Sequence, residues 1–326
     1  MSSAARMAAV LAGVTMLAAC GSAHPTTAPT VKPTLPAPKP ASTKLSVSVA
    51  PWRLPYAIAR EAVIPTGSGT VIVGGGMFPD DTSSARTFSL NLETGQATQL
   101  SSLPVDVHDV AGGFYAGAPA IYGGGNASEQ STVQQFENGR WHVIAHMPTT
   151  RSDLSVGTVG STTYVLGGYD GSGVPTQVLA QSGGSALRPA GHLIEGVRYA
   201  ATAVLGTSIY LFGGEVSGSE LSVVQRYDAV THRTTVVGHL PVPLGHASAV
   251  VLGGRILLMG GRVQPDQGTR ALWWFDSVTA SFKPAGELPA PVTDAAAIAS
   301  SDGRTAWLLG GESPHVRDGV IMLTLS

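Results

Sequence analysis

The chain has 326 residues, a formal net charge of −2 and only 12% charged residues. It has no cluster of lysine and arginine, which excludes a nucleic-acid-binding surface that depends on many phosphate contacts. An apolar fraction of 43% is ample for a buried core, and a single cysteine excludes any intramolecular disulfide.

The first 19 residues have the pattern of a signal peptide. Arg6 precedes an apolar stretch of about 13 residues, which is too short to span a bilayer. The stretch ends in the letters LAACG, which resemble a bacterial lipobox. That resemblance implies cleavage before Cys20, lipidation of its sulfur and attachment to a membrane through the lipid. The alternative is an ordinary secretory signal with an incidental cysteine.

Residues 20–44 are rich in proline, threonine and alanine, with three lysines and no acidic residue. Pro-rich segments favour an extended conformation of roughly 3.1 Å per residue, so this linker would reach about 70 Å. We therefore expect an exported protein, held on the outer side of the cytoplasmic membrane or facing the periplasm, with its folded domain over residues 45–326.

Six apolar runs in that domain each end in a glycine doublet. The runs read TVIV, PAIY, TYVL, IYLF, ILLM and AWLL, which is typical of buried strands. The steps between successive doublets are 49, 44, 46, 47 and 50 residues. A strand-rich unit repeated at this period predicts the blades of a β-propeller. The doublets begin at Gly74, Gly123, Gly167, Gly213, Gly260 and Gly310.

Each unit continues with a variable loop, a second apolar segment, a turn and a last strand that closes on proline, as in the letters GHLP and GELP. The doublets, the pairs Tyr227-Asp228 and Phe275-Asp276, and the closing Leu-Pro or Met-Pro resemble kelch repeats over residues 45–326. The third unit lacks the aromatic residue of its third strand, and the fourth-strand tryptophan occurs only as Trp141. The resemblance implies an all-β, six-bladed kelch-type propeller.

The last unit ends after its third strand, GVIMLTLS, and its fourth strand is missing. The segment TKLSVSVAPWRLP at 43–55 resembles the fourth-strand endings of other units, such as THRTTVVGHLP. We expect the N-terminal strand to complete the C-terminal blade and close the ring.

In this family, ligand sites usually lie at the mouth of the central channel. The loops that precede the first strands carry an ionisable residue about 14 to 16 residues before each doublet. Arginines there would grip a carboxylate or phosphate, and the acids would accept hydrogen bonds from sugar hydroxyls. The alternative is a set of salt bridges between blades. The six residues are Arg60, Asp109, Arg151, Arg198, His246 and Asp294.

The loops after the doublets supply a second group of candidates. Tyr169, Asp170 and Glu215 directly follow their doublets, so we expect them nearest the channel axis. Most charges in these loops are expected to be solvated. The other members of the group are Asp80, Asp81, Glu129, Glu220, Arg262, Asp266, Glu312 and His315.

No cofactor or metal is expected. The nucleotide-binding glycine motifs and the Gly-x-Ser-x-Gly nucleophile motif are missing from the sequence. Kelch oxidases that resemble galactose oxidase need a tyrosine cross-linked to cysteine, and Cys20 lies in the export signal.

The sequence therefore favours a monomeric binding module for carbohydrate, cell-wall material or a partner protein, without nucleic acid. One alternative is a sugar-active enzyme, since exported six-bladed kelch proteins include sialic acid mutarotases. That resemblance implies an acid and an arginine at the mouth, for which Glu215 or Glu195 with Arg198 are the candidates. A third possibility is a rigid scaffold for an envelope complex.

Overall fold

The computed structural model of the protein describes residues 44–67 and 69–326, so the signal peptide, Cys20 and nearly all of the linker lie outside the described residues. Six four-stranded antiparallel sheets in this part of the chain form the blades of a β-propeller, and two small hairpins are added in the loops. The six-bladed prediction is confirmed. No helix in the described ranges is long and apolar enough to cross a membrane.

The strands are numbered in chain order. They are β1 Leu45–Val49, β2 Ala62–Gly67, β3 Thr70–Gly74, β4 Thr87–Asn91, β5 Ala97–Gln99, β6 Ala111–Tyr115, β7 Ala118–Tyr122, β8 Thr132–Glu137, β9 Arg140–His146, β10 Ser155–Val159, β11 Thr162–Leu166, β12 Gln177–Ser182, β13 Arg188–His192, β14 Ala201–Leu205, β15 Ser208–Phe212, β16 Glu215–Val216, β17 Ser219–Glu220, β18 Val223–Asp228, β19 Arg233–His239, β20 Ser248–Leu252, β21 Arg255–Met259, β22 Arg262–Gln264, β23 Gln267–Gly268, β24 Ala271–Asp276, β25 Ser281–Glu287, β26 Ala296–Ala299, β27 Thr305–Leu309 and β28 Val320–Leu325.

The second strand of each blade is the most buried, because blades cover both of its faces. In β15, SIYLF, every residue after the serine is buried, and β27, TAWLL, has the same pattern. The outermost strands alternate or are exposed, as in β19. Apolar side chains fill the spaces between neighbouring blades; Leu166 and Tyr164 of the third blade, for example, pack with Leu211 and Tyr227 of the fourth.

The N-terminal strand completes the last blade, as predicted. Strand β1 pairs antiparallel with β28 over its whole length, from Leu45 opposite Leu325 to Val49 opposite Ile321. The side chains of Leu45 and Val47 pack on the core between the fifth and sixth blades. The first and last segments of the described domain are therefore held in one sheet.

The strand directions place the two ends of this domain on one face of the propeller. The first strand of every blade begins on the face that carries the loop before it. The third strand runs in the same direction as the first, so β28 ends on the opposite face. Strand β1 is antiparallel to β28 and therefore begins on that opposite face. Lys44 accepts a hydrogen bond from the Ser326 backbone at 3.1 Å, at the far end of the sheet. The chain therefore enters the propeller on the face opposite the loops that carry the predicted site.

The glycine doublets join neighbouring blades. The second glycine donates its N–H to a carbonyl of the next blade, as Gly168 does to Val197 at 2.8 Å. Gly311 closes the circle by donating to Ile58 at 2.9 Å. A Cβ on Gly167 would overlap the same Val197 carbonyl oxygen. The doublets are therefore needed for close contact between blades.

In the first unit, the paired left-handed glycines are Gly75 and Gly76, with φ of 69° and 98°. Gly74 instead lies at the end of β3. The predicted start of that doublet was therefore wrong by one residue, because three consecutive glycines hide the register in the sequence.

Candidate functional site

Six residues form a ring around the mouth of the channel, one from the loop that precedes the first strand of each blade. Each has a left-handed backbone, with φ between 54° and 60°. Such a conformation is uncommon for residues other than glycine, and here it recurs in every blade. We call this set the mouth ring; it consists of Arg60, Asp109, Asp153, Tyr199, His246 and Asp294.

Backbone hydrogen bonds connect the mouth ring from blade to blade. Asp153 donates its amide to the carbonyl of Asp109, Tyr199 to Asp153, His246 to Tyr199, Asp294 to His246 and Arg60 to Asp294, over 2.9 to 3.1 Å. The left-handed turn thus directs the backbone amides of five of the six residues at a neighbour. These backbone hydrogen bonds hold the mouth-ring residues around the channel axis without the help of a ligand.

The mouth ring contains four of the six residues predicted at these positions: Arg60, Asp109, His246 and Asp294. In the third blade the ring residue is Asp153, two positions after the predicted Arg151. The Arg151 side chain is fully buried and donates to the Gly167 carbonyl at 3.1 Å. Burial lowers the pKa of Arg151 to about 10.

In the fourth blade the ring residue is Tyr199, one position after the predicted Arg198. The Arg198 guanidinium lies beside the mouth, 2.9 Å from Glu215 and 3.4 Å from Asp153. It also lies over the rings of Tyr169 and Tyr199, at 5.3 and 5.1 Å from their centroids. Arg198 therefore connects two acids and two aromatic rings.

Arg60 is held by acids of three other loops. Its guanidinium lies 3.1 Å from Glu312, 3.3 Å from Asp109 and 4.0 Å from Asp294. Burial acts to lower the pKa of Arg60, but these carboxylates outweigh it and raise the pKa. The guanidinium of the first blade is thus permanently charged and paired with acids of the second and sixth blades.

Glu215 is the centre of a second ion-pair network. Its buried carboxylate contacts Arg198 at 2.9 Å, Arg262 at 2.5 Å and His246 at 3.3 Å. The hydrogen bond with His246 is the main cause that lowers the pKa of Glu215 to about 2, although burial opposes it. His246 also hydrogen-bonds Asp294 at 2.6 Å. Glu215 is therefore ionised at neutral pH and is unsuited to donate a proton.

Asp153 has the opposite electrostatic character. Burial and the neighbouring Asp109 carboxylate raise its pKa well above the usual range, and Arg198 only partly offsets them. The Tyr199 hydroxyl donates to Asp109 at 3.3 Å. An acid that holds its proton thus lies beside a second carboxyl group at the mouth.

The remaining candidates lie nearer to solvent. Asp170 accepts hydrogen bonds from Ser172 and Gly173 within its own loop, at 2.8 to 2.9 Å, and these lower its pKa. Glu195 is exposed, and its backbone amide donates to the Gln225 side chain. Tyr169 contacts the site through Arg198.

Two cavities open at the mouth. The ring cavity, of about 150 Å³, is lined by the mouth ring and by the residue after each of its members. The side cavity, of about 430 Å³, lies between the fifth and sixth blades and shares Arg60 and Asp294 with the ring cavity. Arg262, Gln267, Thr293 and Glu312 give it a polar lining. In the described residues, no group of three or more His, Cys, Asp or Glu side chains has the geometry to hold a metal ion.

Sequence reasoning missed Asp153 and Tyr199, although a signal was present. In the four middle units, the ring residue stands 14 residues before its doublet, and this constant spacing selects both residues. The search for ionisable groups favoured the nearby arginines instead. Arg262 and Glu312 also directly follow their doublets, as Glu215 does, and the same rule would have placed them near the axis.

Comparison with known proteins agrees with the fold. The kelch motif matches residues 197–233, which include Arg198, Tyr199 and Glu215. A kelch domain-containing protein of Saccharolobus solfataricus, SSO1033, is 33% identical over 102 residues, which are 31% of this chain and only 13% of that protein. The solved structure of YjhT aligns with a TM-score of 0.71 and 15% identity, over 84% of this chain and 99% of the other. At that identity the likeness is one of fold.

Proposed function

We propose that this kelch-type propeller is the binding module of a cell-envelope lipoprotein, and that it takes a carbohydrate or other cell-wall ligand at the channel mouth. The observation that carries the proposal is the mouth ring, in which six left-handed residues from six blades direct polar side chains around one cavity. Strained backbone that recurs at a cavity is a feature of functional sites.

The polar groups at the mouth suit a ligand with many hydroxyls. Carboxylates accept hydrogen bonds from hydroxyl groups, and guanidinium groups donate to ring and hydroxyl oxygens. The side cavity adds the Gln267 amide and the Thr293 hydroxyl to Arg60 and Arg262. Its volume of about 430 Å³ is in the range of small-ligand pockets.

The ion pairs make an anionic ligand the weaker choice. Arg60, Arg198 and Arg262 each already contact at least two carboxylates. A ligand carboxylate or phosphate would have to displace one of those acids, whereas a hydroxyl adds to the network without changing its charge. The same ion pairs connect neighbouring blades, so the network also acts as a set of salt bridges between blades.

The domain's ends support the anchored arrangement. The chain joins the propeller on the face opposite the mouth ring. Lipidation at Cys20, followed by an extended linker, would then attach the propeller through the face opposite the mouth and leave the mouth open to a ligand.

A binding screen tests the proposal. The purified full-length protein would be heated with neutral, acidic and amino sugars, and with muropeptides. A ligand at one hundred times its dissociation constant should stabilise the protein by about 2.7 kcal/mol, which a thermal-shift assay detects readily. No shift with any of them at millimolar concentration would contradict the proposal and favour a scaffold in an envelope complex.

A sugar-active enzyme is the second candidate, and Asp153 beside Asp109 is the observation that favours it. Acid and base catalysis needs one group that holds a proton and one that accepts it, both near neutral pH. The predicted acids do not fill the first role, because Glu215 is ionised and Glu195 is exposed. Anomer exchange followed by NMR, with Asp153→Asn as the inactive variant, separates the enzyme from the binding module.

A further inference from the structure

The ring cavity carries an excess of acid. Three of the six mouth-ring side chains are aspartates, against one arginine and one histidine. The arginines at and beside the ring are committed to carboxylates: Arg60 to three, Arg198 to two and Arg262 to two. Any further acid that faces this cavity is therefore left without a cationic partner among the described residues.

Such an acid is present one layer below. The second tier consists of the residues that follow the mouth ring, and five of its six members are apolar: Val110, Leu154, Ala200, Ala247 and Ala295. The sixth is Glu61. Its side chain is almost completely buried, at 5% exposure, and neither carboxyl oxygen has a hydrogen-bond partner.

Glu61 also lines the channel below. A cavity of about 180 Å³ continues from the second tier, with Ser155 and Thr202 as its hydroxyl groups. A buried acid without a partner costs free energy in either protonation state. Glu61 lines both cavities, so a hydrogen-bond donor from outside the protein would supply the partner that its carboxyl group lacks.

We propose that the ring cavity binds a primary ammonium group, with Glu61 and the aspartates of the mouth ring as its acceptors. The proposal rests on the proposed function and makes it more specific: the ligand is an amino sugar with a free amine, whose sugar ring occupies the side cavity. An ammonium group has three N–H donors and no acceptor, which matches a cavity with surplus carboxylates.

Binding of an ammonium group at Glu61 should depend on pH. Burial raises the pKa of Glu61 to about 8, and the nearby Asp294 adds to this. The backbone amides of Glu61 and Ala296 partly oppose it, although neither completes a hydrogen bond with the carboxyl group. The other charged groups above it are Arg60, Asp109, Asp153 and His246 of the mouth ring.

An incoming ammonium group favours the ionised carboxylate, so the Glu61 proton leaves to solvent on binding. Affinity for an alkylammonium ion, with a pKa of about 10, should rise between about pH 6 and pH 8.

The experiment is isothermal titration of the full-length protein with two matched pairs of probes: glucosamine against glucose, and n-propylammonium against 1-propanol. The variants are Glu61→Gln, which keeps the shape of the side chain, and Asp153→Asn, which removes a second carboxyl group from the ring cavity. Glu137→Gln is the control, because Glu137 is exposed at the end of β8. Thermal melting of each variant checks that it is folded.

We expect the ammonium member of each pair to bind at least about 10-fold more tightly than its neutral partner. Both Glu61→Gln and Asp153→Asn should remove most of that preference, and Glu137→Gln should retain it. Equal binding of glucose and glucosamine, unchanged in Glu61→Gln, would overturn the ammonium site and leave the carbohydrate proposal intact.

Binding of n-propylammonium through Glu61, without either sugar, would support the ammonium site and contradict the carbohydrate proposal. No binding of any probe, or tighter binding of a divalent cation than of the ammonium probes, would overturn the inference.

Discussion

The ring of Tyr199 stacks on the imidazole of His246, with centroids 3.8 Å apart and planes 25° from parallel. The two residues occupy equivalent positions in the fourth and fifth blades, and the Tyr199 hydroxyl reaches Asp109 of the second blade at 3.3 Å. One aromatic side chain therefore connects three blades across the mouth. Burial and the nearby aspartates raise the pKa of Tyr199, so it remains a neutral hydrogen-bond donor at physiological pH.

Replacing Tyr199 by phenylalanine removes the hydroxyl and keeps the stack. We expect the free energy of unfolding to fall by about 1 kcal/mol, because Asp109 loses a buried donor. Tyr199→Ala also loses the stack and should cost about 3 kcal/mol. Urea denaturation measures both. Tyr169→Phe is the control, because the Tyr169 ring contacts Arg198 and its hydroxyl makes no hydrogen bond with the described residues. An unchanged midpoint in both Tyr199 variants would contradict the bridging role.

The glycine doublets allow a test of packing between blades. Gly167 and Gly160 have nearly the same backbone, with φ of 61° and 60°. A Cβ on Gly167 would overlap the Val197 carbonyl, whereas nothing lies within 4 Å of a Cβ on Gly160.

Gly160→Ala should therefore cost about 1 kcal/mol for its backbone alone, and Gly167→Ala more than about 3 kcal/mol. Chemical denaturation of the two variants makes the comparison. Similar losses at both positions would show that conformation, and not the contact between blades, requires glycine in the doublet.

Closure of the ring by β1 predicts a sharp effect of truncation. Removal of residues 1–50 would expose the edge of β28 and uncover the core beneath Leu45 and Val47. We expect loss of cooperative thermal unfolding, followed by circular dichroism or calorimetry. Removal of residues 1–43 is the matched control and should melt like the full chain. If both truncated proteins melt alike, the closure contributes nothing to stability.

Glu61 predicts a dependence of stability on pH. Its folded pKa of about 8 lies above the unfolded value of about 4.5, so the folded state binds the proton more tightly. The stability that this provides is complete below about pH 4.5 and is lost as pH rises to about 8.

Glu61→Gln, which never ionises, should therefore gain stability relative to wild type as pH rises, by about 2 to 4 kcal/mol between pH 5 and pH 8. Thermal melts of both proteins across that range provide the check, with Glu137→Gln as the reference. A constant difference between Glu61→Gln and wild type would mean that Glu61 is ionised throughout.

Much of the fold was predictable because the propeller repeats its own signals. The number of blades follows from the six doublets and the closing Leu-Pro of the units, and the closure follows from the missing fourth strand of the last unit. These signals are local; the doublets, for example, reflect glycines with a left-handed backbone. The register of the first doublet was less certain, because Gly74, Gly75 and Gly76 are consecutive and only the backbone shows which two turn.

The site was predicted less completely because its members are chosen by backbone position and not by charge. Tyr199 is neutral and adjoins a charged Arg198, so a search for ionisable groups selected the wrong neighbour for the ring. Arg151 is an arginine at nearly the right spacing, yet its side chain is buried against the Gly167 carbonyl. Which carboxylates keep their protons depends on contacts between blades, which no single repeat contains.

The central claim is that the channel mouth binds the ligand, and the comparison of Arg198→Ala with Arg140→Ala tests it most directly. Arg198 joins Glu215 and Asp153 beside the ring, while Arg140 is exposed on the outer strand β9. The measurement is titration of each full-length variant with the sugar that gives the largest thermal shift, together with its melting temperature.

We predict that Arg198→Ala weakens binding at least about 10-fold while the protein still unfolds cooperatively, and that Arg140→Ala changes neither property. A folded Arg198→Ala protein that binds as well as wild type would contradict the claim. Loss of folding in Arg198→Ala alone would contradict it as well, because the arginine would then serve to join blades.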